Sequence, residues 1–260
     1  MEILLTNDDG LLATGIQALR KKLTDLGNVT LVAPERERSA MGHGITMHKP
    51  LRADKVFFED GSFGWSVSGT PADCVKLALD KLLPLRPDLV ISGINNGLNM
   101  GIDVLYSGTV SAALEAIIED IPAIAVSVEE EATNEDYDYA AQFIRDFLQQ
   151  ETKPFPSKKV VLNINVPRIT LGPISGIEIT VQGLKRYGSS VITRLDPRGK
   201  EYYWLCGELL EIDRSQNTDL SAYARRAISI TPLHFDLTDR QTLDELSSLQ
   251  KLFPHNNKGN

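Results

Sequence analysis

The sequence predicts an α/β protein built on a mostly parallel sheet. Short apolar runs alternate with helix-patterned segments over roughly the first 130 residues, and turn and capping signals separate them. After about residue 175 the pattern changes to strand-like pieces separated by tight turns. Alternation of the first kind builds βαβ units with right-handed crossovers.

Ile3-Leu4-Leu5 reads as a buried strand. Ile16, Leu19, Leu23 and Leu26 recur at spacings of three and four, one face of a helix, with Gly27 placed to end it. Val29 to Ala33 is the next strand, stopped by Pro34. Alternating segments between about 45 and 68 flank Asp60-Gly61, a hairpin signal. Thr70-Pro71 pairs an N-cap with proline at the first helical position, and Val75, Leu79 and Leu82 continue that helix. Leu89-Val90-Ile91 is a third core strand. Thr109 opens a helix with Val110, Ala113, Leu114 and Ile117 inward, and Ala123 to Val128 follows as a strand. A helix near 135–150 and a strand at Val160 to Ile164 extend the sheet. Segments 177–182, 190–195 and 201–205, with a turn at Asp196-Pro197-Arg198-Gly199, read as β-ribbons. A helix near 239–252 and a polar tail close the chain. With no internal repeat or low-complexity linker, the expectation is one unit over 1–260, its core ending near 175 and an extension from about 176 packed on it.

The 260 residues, 42% hydrophobic and 24% charged, suit a globular protein with a substantial core. A net charge of -8 argues against binding a nucleic-acid duplex through a basic face. A small phosphorylated ligand stays compatible with it, because a bound cation reverses the field locally. Cys74 and Cys206 form neither a disulfide framework nor a thiolate zinc site, and read as packed reduced thiols. No apolar run approaches the ~18 residues of a membrane span. The N-terminus lacks a basic start followed by an apolar stretch, so a cytoplasmic location is expected.

In an open parallel sheet, ligands bind beyond the carboxyl ends of strands, and three unusual loops follow predicted core strands. The first is Thr6-Asn7-Asp8-Asp9-Gly10. Its adjacent carboxylates either belong to a solvated capping turn or hold a hard cation such as Mg²⁺ or Mn²⁺, since desolvating both without neutralisation is costly. The second runs from Pro34 to Gly44 and offers the hydroxyl of Ser39, with Arg36 and Arg38 able to meet phosphate; His43 alone reads as an exposed loop residue. The third, Ser92 to Gly101 and on to Thr109, is dense in glycine and asparagine. Asn95 can lend a carbonyl oxygen to a metal. Ser107-Gly108-Thr109 leads into a helix N-terminus, either as an anion site or simply as a cap at Thr109. GxxxxGK[ST], GxGxxG, HExxH and GxSxG are all missing, which removes P-loop, dinucleotide, histidine-zinc and hydrolase-elbow chemistry.

These loops resemble the SurE-type survival-protein phosphatases, which are nucleotidases. The residues that carry the likeness are TNDDG at 6–10, ERSAMGHGIT at 37–46, SGTPADCV at 68–75 and SGINNGLNMGIDVLYSGTVSAALEA at 92–116. The resemblance implies a Rossmann-like three-layer α/β/α core with a protruding hairpin and a C-terminal segment exchanged between subunits, giving homodimers or homotetramers. It implies one divalent cation per subunit, Mg, Mn or Ca, on Asp8, Asp9, Ser39 and Asn95, and phosphate contacts at Asn99, Ser107, Gly108 and Thr109. Asp8 and Asp9 then serve catalysis, either one taking the proton of the attacking water. The expected activity is hydrolysis of nucleoside monophosphates, and His234 is expected either near a neighbouring subunit's site or in a structural role. Two rivals are an aspartyl-phosphate phosphatase of the haloacid-dehalogenase kind and a non-catalytic nucleotide-binding module. The first needs acids two residues apart, whereas here they adjoin and Gly10 follows.

Overall fold

The computed structural model describes residues 1–150, 159–188, 190–207, 209–212 and 215–246. Its strands are β1 (Glu2–Thr6), β2 (Asn28–Pro34), β3 (Ala53–Phe57), β4 (Phe63–Val67), β5 (Leu89–Asn96), β6 (Ala123–Val128), β7 (Val161–Val166), β8 (Ile177–Ile179), β9 (Lys185–Tyr187), β10 (Ser190–Leu195), β11 (Glu201–Cys206), β12 (Leu209–Ile212) and β13 (Ile228–Leu233). The helices are α1 (Thr14–Leu23), α2 (Pro71–Leu77), α3 (Gly108–Ile118), α4 (Asn134–Gln149), α5 (Asp219–Ala224) and α6 (Arg240–Leu246). Nine strands form one sheet in the order β3-β4-β2-β1-β5-β6-β7-β13-β8. From β2 through β7 every neighbouring pair is parallel. The order reverses between β1 and β5, so the loops after these two strands open into one crevice.

Layering follows from alternation along the strands. Ile3 and Leu5 of β1 enter one core with Ile16, Leu19 and Leu23 of α1 and Ala140 and Ile144 of α4. Leu4 points the other way, into a second core with Val75 of α2 and Val110, Ala113 and Ile117 of α3. A strand with apolar residues on both faces must be covered on both, which makes the molecule an α/β/α sandwich. Each large side chain so buried contributes about 1.5–3 kcal/mol. α2 starts as expected: the Thr70 hydroxyl oxygen caps it by accepting from Asp73 N, the Asp73 carboxylate accepts in return from Thr70 N, and Pro71 sits first in the helix.

Several expectations change. α1 ends at Leu23, before Gly27; a side chain at Gly27 would place its Cβ 1.9 Å from the Met1 carbonyl oxygen, so close approach requires this glycine. The hairpin about Asp60-Gly61 starts at Ala53 and not near 45. The cap of α3 is Ser107, which accepts from Val110 N, and not Thr109. The change of grammar near 175 marks a change of strand direction and not the end of the sheet. Segment 177–182 supplies β8, parallel to β13, and β13 runs antiparallel to β7. Two ribbons do stand outside the sheet, β10 with β11 as expected, and β9 with β12. Cys74 is buried as expected, whereas Cys206 is exposed on the ribbon. The predicted last helix is observed as α6; its residues 247–252 and the polar tail lie outside the described residues. No helix among the described residues is long and apolar enough to cross a membrane.

Candidate metal and phosphate site

β1 delivers Asp8 and Asp9 to the crevice on a turn that Asn7 builds with its side chain. The buried Asn7 amide donates to Gly10 O at 2.9 Å and its Oδ1 accepts from Gly10 N at 3.2 Å. The turn draws the two neighbouring loops to the aspartates. Arg38 N donates to Asp8 O at 2.8 Å, and Asn96 N donates to Asp9 Oδ2 at 3.4 Å. The start of α3 comes closest. The Thr109 hydroxyl donates to Asp8 Oδ1, and a Cβ at Gly108 would lie 2.8 Å from that of Asp8, so only glycine lets the helix tip in this far.

The electrostatics of the pair are unbalanced. Asp8 is 4% exposed, and burial raises its pKa against the lowering effect of Thr109. Asp9 is pushed up to about 6, first by burial and then by the charge of Asp8. Among the described residues neither aspartate forms an ion pair with a lysine, arginine or histidine. Two adjoining carboxylates withdrawn from water without a cationic partner fit a bound cation. The described residues bring together no group of three or more His, Cys, Asp and Glu able to hold a metal. A site here draws on neutral oxygens as well, the donor set that suits a hard divalent ion.

Asn95 follows a bulge in β5: Ser92 pairs with Ala125 but Asn95 with Ser127, three residues against two. Its amide donates to Gly97 O at 2.7 Å, and its Oδ1 accepts no hydrogen bond among the described residues. Ser39 is exposed on the loop that Arg38 pins to Asp8, its hydroxyl donating to Glu37 at 2.6 Å. Of the predicted anion group, Ser107 keeps its hydroxyl hydrogen while its oxygen caps α3, whereas the Thr109 hydroxyl is occupied by Asp8. Asn99 is buried; its amide donates to Ser127 Oγ at 2.8 Å, leaving one N–H. Arg36 is exposed beside Glu35, and the Arg38 guanidinium donates to Ser68 O, so neither guanidinium group meets the aspartate carboxylates. His43 is engaged: its ring meets Glu115 Oε2 at 2.8 Å, and Lys76 donates to the other oxygen at 2.7 Å. His234 is exposed just past β13.

Sequence reasoning missed the residues behind the site. Asn163 and Asn165 on β7 donate to Asn99 O at 2.8 and 3.1 Å, and Asn165 Oδ1 accepts from Asn99 N at 2.8 Å. Asp219, fully buried at the start of α5, accepts from Gly101 N and Gly183 N, both at 2.9 Å. A signal was available for the first two: asparagines alternate at 163 and 165 in the otherwise apolar VLNINV, on one face of a strand. Asp219 left none, because its partners lie far away in sequence.

A family model described as Survival protein SurE matches residues 3–189. The chain is similar to the 5'-nucleotidase SurE of Carboxydothermus hydrogenoformans, 52% identical over 256 residues, covering 96% of this chain and 97% of that protein. It is 50% identical to the 5'-nucleotidase SurE of Moorella thermoacetica, with 98% of each chain covered. Among solved structures it superposes on the SurE protein from Aquifex aeolicus with a TM-score of 0.77 and 39% identity, covering 95% of this chain and 99% of that one.

Proposed function

Since the chain belongs to the SurE survival-protein family, we propose that it is a 5'-nucleotidase that hydrolyses nucleoside monophosphates with the help of one divalent cation per subunit. The name 5'-nucleotidase SurE, shared by relatives about half identical over nearly the whole chain, supports the hydrolase class. It also favours this reading over an aspartyl-phosphate enzyme or a non-catalytic module. The single observation that carries the site is the unneutralised carboxylate pair of buried Asp8 and half-buried Asp9, with Asp8 against the tip of α3.

In this reading Asp8, Asp9, Ser39 and Asn95 hold the cation through oxygen. When bound, a divalent cation polarises the phosphate and acidifies a coordinated water. The chain's own groups do the rest. Ser107 donates its free hydroxyl hydrogen to a phosphate oxygen, Asn99 its remaining N–H, and Gly108 and Thr109 lend the positive end of α3. One aspartate accepts the proton released by the attacking water. Asn7 and Thr109 hold the pair in register, and Asn163 and Asn165 hold Asn99. Phosphate release from a panel of 5'- and 3'-monophosphates, after chelation and re-addition of Mg²⁺, Mn²⁺ or Ca²⁺, tests this. An Asp9→Asn protein with full cation-dependent turnover overturns it.

The same reading carries a cytoplasmic homodimer or homotetramer assembled through the region after 176. Four consecutive exposed residues of β11, Tyr202, Tyr203, Trp204 and Leu205, support an interface there. Sedimentation velocity of the wild type against a Trp204→Lys variant tests it, and a monomeric wild type overturns it.

A further inference from the structure

A groove of about 1110 Å³ opens beyond the carboxyl ends of β5, β6 and β7, lined by Leu98, Met100, Glu130, Arg168, Tyr187 and Tyr223 among others. It adjoins the metal and phosphate loops. Gly97 separates the two: a Cβ built there would lie 3.7 Å from Asn95 Nδ2 and 3.7 Å from Glu130 Oε1. Leu98 and Met100, on either side of Asn99, form the near wall.

The polar groups of the groove divide into engaged and unengaged. Glu129 accepts from the Tyr223 hydroxyl at 2.7 Å, and Glu131 pairs with Arg168 at 3.8 Å. Tyr187 donates to Asp103 Oδ1 at 2.9 Å, and Lys185 donates to the other oxygen of that carboxylate at 2.5 Å, which fixes the phenol ring in place. Glu130 differs. Its main-chain oxygen takes Arg168, but its carboxylate has no hydrogen bond or ion pair among the described residues. An acceptor-only group beside the phosphate end of the site suits a neighbour that donates and carries no charge. Glu129, Glu130 and Glu131 share the lining with Arg168, Lys185 and Arg225, so the groove presents both acceptors and donors to a neutral polar ligand.

We propose that this groove receives the nucleoside of the substrate, with the ribose hydroxyls donating to Glu130 and the base lying against the ring of Tyr187. The assignment rests on the phosphatase reading of the adjoining loops. Carboxylates recognise vicinal ribose hydroxyls in this way in other nucleotide sites, and bases stack on tyrosine without demanding one sequence. Because Tyr187 belongs to β9, residues beyond the α/β core then select the substrate.

The test crosses two variants with three substrates: AMP, 2',3'-dideoxy-AMP, which lacks the hydroxyls, and ribose 5-phosphate, which lacks the base. Glu130→Gln is expected to lower kcat/KM about tenfold for AMP and ribose 5-phosphate while sparing the dideoxy compound. Tyr187→Leu is expected to lower it about tenfold for AMP and dideoxy-AMP while sparing ribose 5-phosphate. Equal losses on all three substrates, or no loss on any, overturn the proposal and leave the phosphatase reading standing. If the wild type hydrolyses none of the three, that reading fails, and calorimetric titration with adenosine decides the groove alone. Adenosine binding weakened about fivefold or more by both changes sustains it, and equal binding overturns it.

Discussion

Asp136 at the start of α4 and the Asp8–Asp9 pair at the end of β1 are carboxylates withdrawn from water, yet their surroundings differ in kind. Asp136 is fully buried, and burial alone would raise its pKa. It accepts from Thr133 N and Oγ1, both at 2.9 Å, and from Thr170 N and Oγ1 at 3.1 and 3.0 Å, and these donors hold it down at about 2. Asp9 has one main-chain donor at 3.4 Å and a charged neighbour, and is raised to about 6. A buried carboxylate with a full set of donors fastens the structure together. One without them is destabilising unless a positive charge neutralises it.

The sharpest break in this comparison is catalytic. Asp9→Asn is expected to cost at least about 100-fold in cation-dependent kcat/KM for AMP, whereas Asp136→Asn leaves turnover per folded molecule unchanged. Comparable losses in both variants would erase the distinction. Next comes the cation itself. At ~100 times its dissociation constant, Mg²⁺ or Mn²⁺ should stabilise the wild type by about 2.7 kcal/mol, seen as a rise in Tm over the chelated protein. That rise should vanish in Asp8→Asn and persist in Asp136→Asn.

In stability the order inverts. Asp136→Ala strands the donors of Thr133 and Thr170 and should lose about 1–3 kcal/mol in urea denaturation. Asp9→Asn, measured without cation, should lose nothing or gain. The smallest effect is in pH, and the two sites have opposite signs. The folded pKa of Asp9, about 6, exceeds the ordinary 3.8, so its contribution is fully present below pH 3.8 and is lost as pH rises through 6. For Asp136 the folded pKa, about 2, lies below 3.8, so its contribution is present above pH 3.8 and is lost as pH falls through 2. In chelator, the wild type should lose about 1–2 kcal/mol relative to Asp9→Asn between pH 4 and 7. A flat difference between those two curves would remove the electrostatic account of the pair.

The strand and helix order through β7 was legible because each element carries its own periodicity. Leu4 with Ile3 and Leu5, and Ile16 with Leu19 and Leu23, declare their faces locally. Thr70-Pro71 announced α2 for the same reason, since capping joins residues three apart. The placement of β8 and β13 was not legible: β8, at three residues, carries too little pattern, and the sheet membership of both depends on distant partners. In the site, the Asp8-Asp9 pair and the Ser107–Thr109 turn drew attention by composition alone. The sequence left open whether Thr109 caps its helix or serves a ligand, and the structure gives it a third task, holding Asp8.

The sequence by itself determined the α/β class, the first seven strands of the sheet and the loops where acids, amides and glycines concentrate, because those features reside in short-range spacing. Only the tertiary structure decided that the tip of α3 presses against Asp8 through Gly108, that Asn163 and Asn165 brace Asn99, and that Glu130 stands beside Asn95 across Gly97. Each of those contacts joins segments from different strands. Their distances are set by how the sheet orders its strands, information that no single stretch of chain contains.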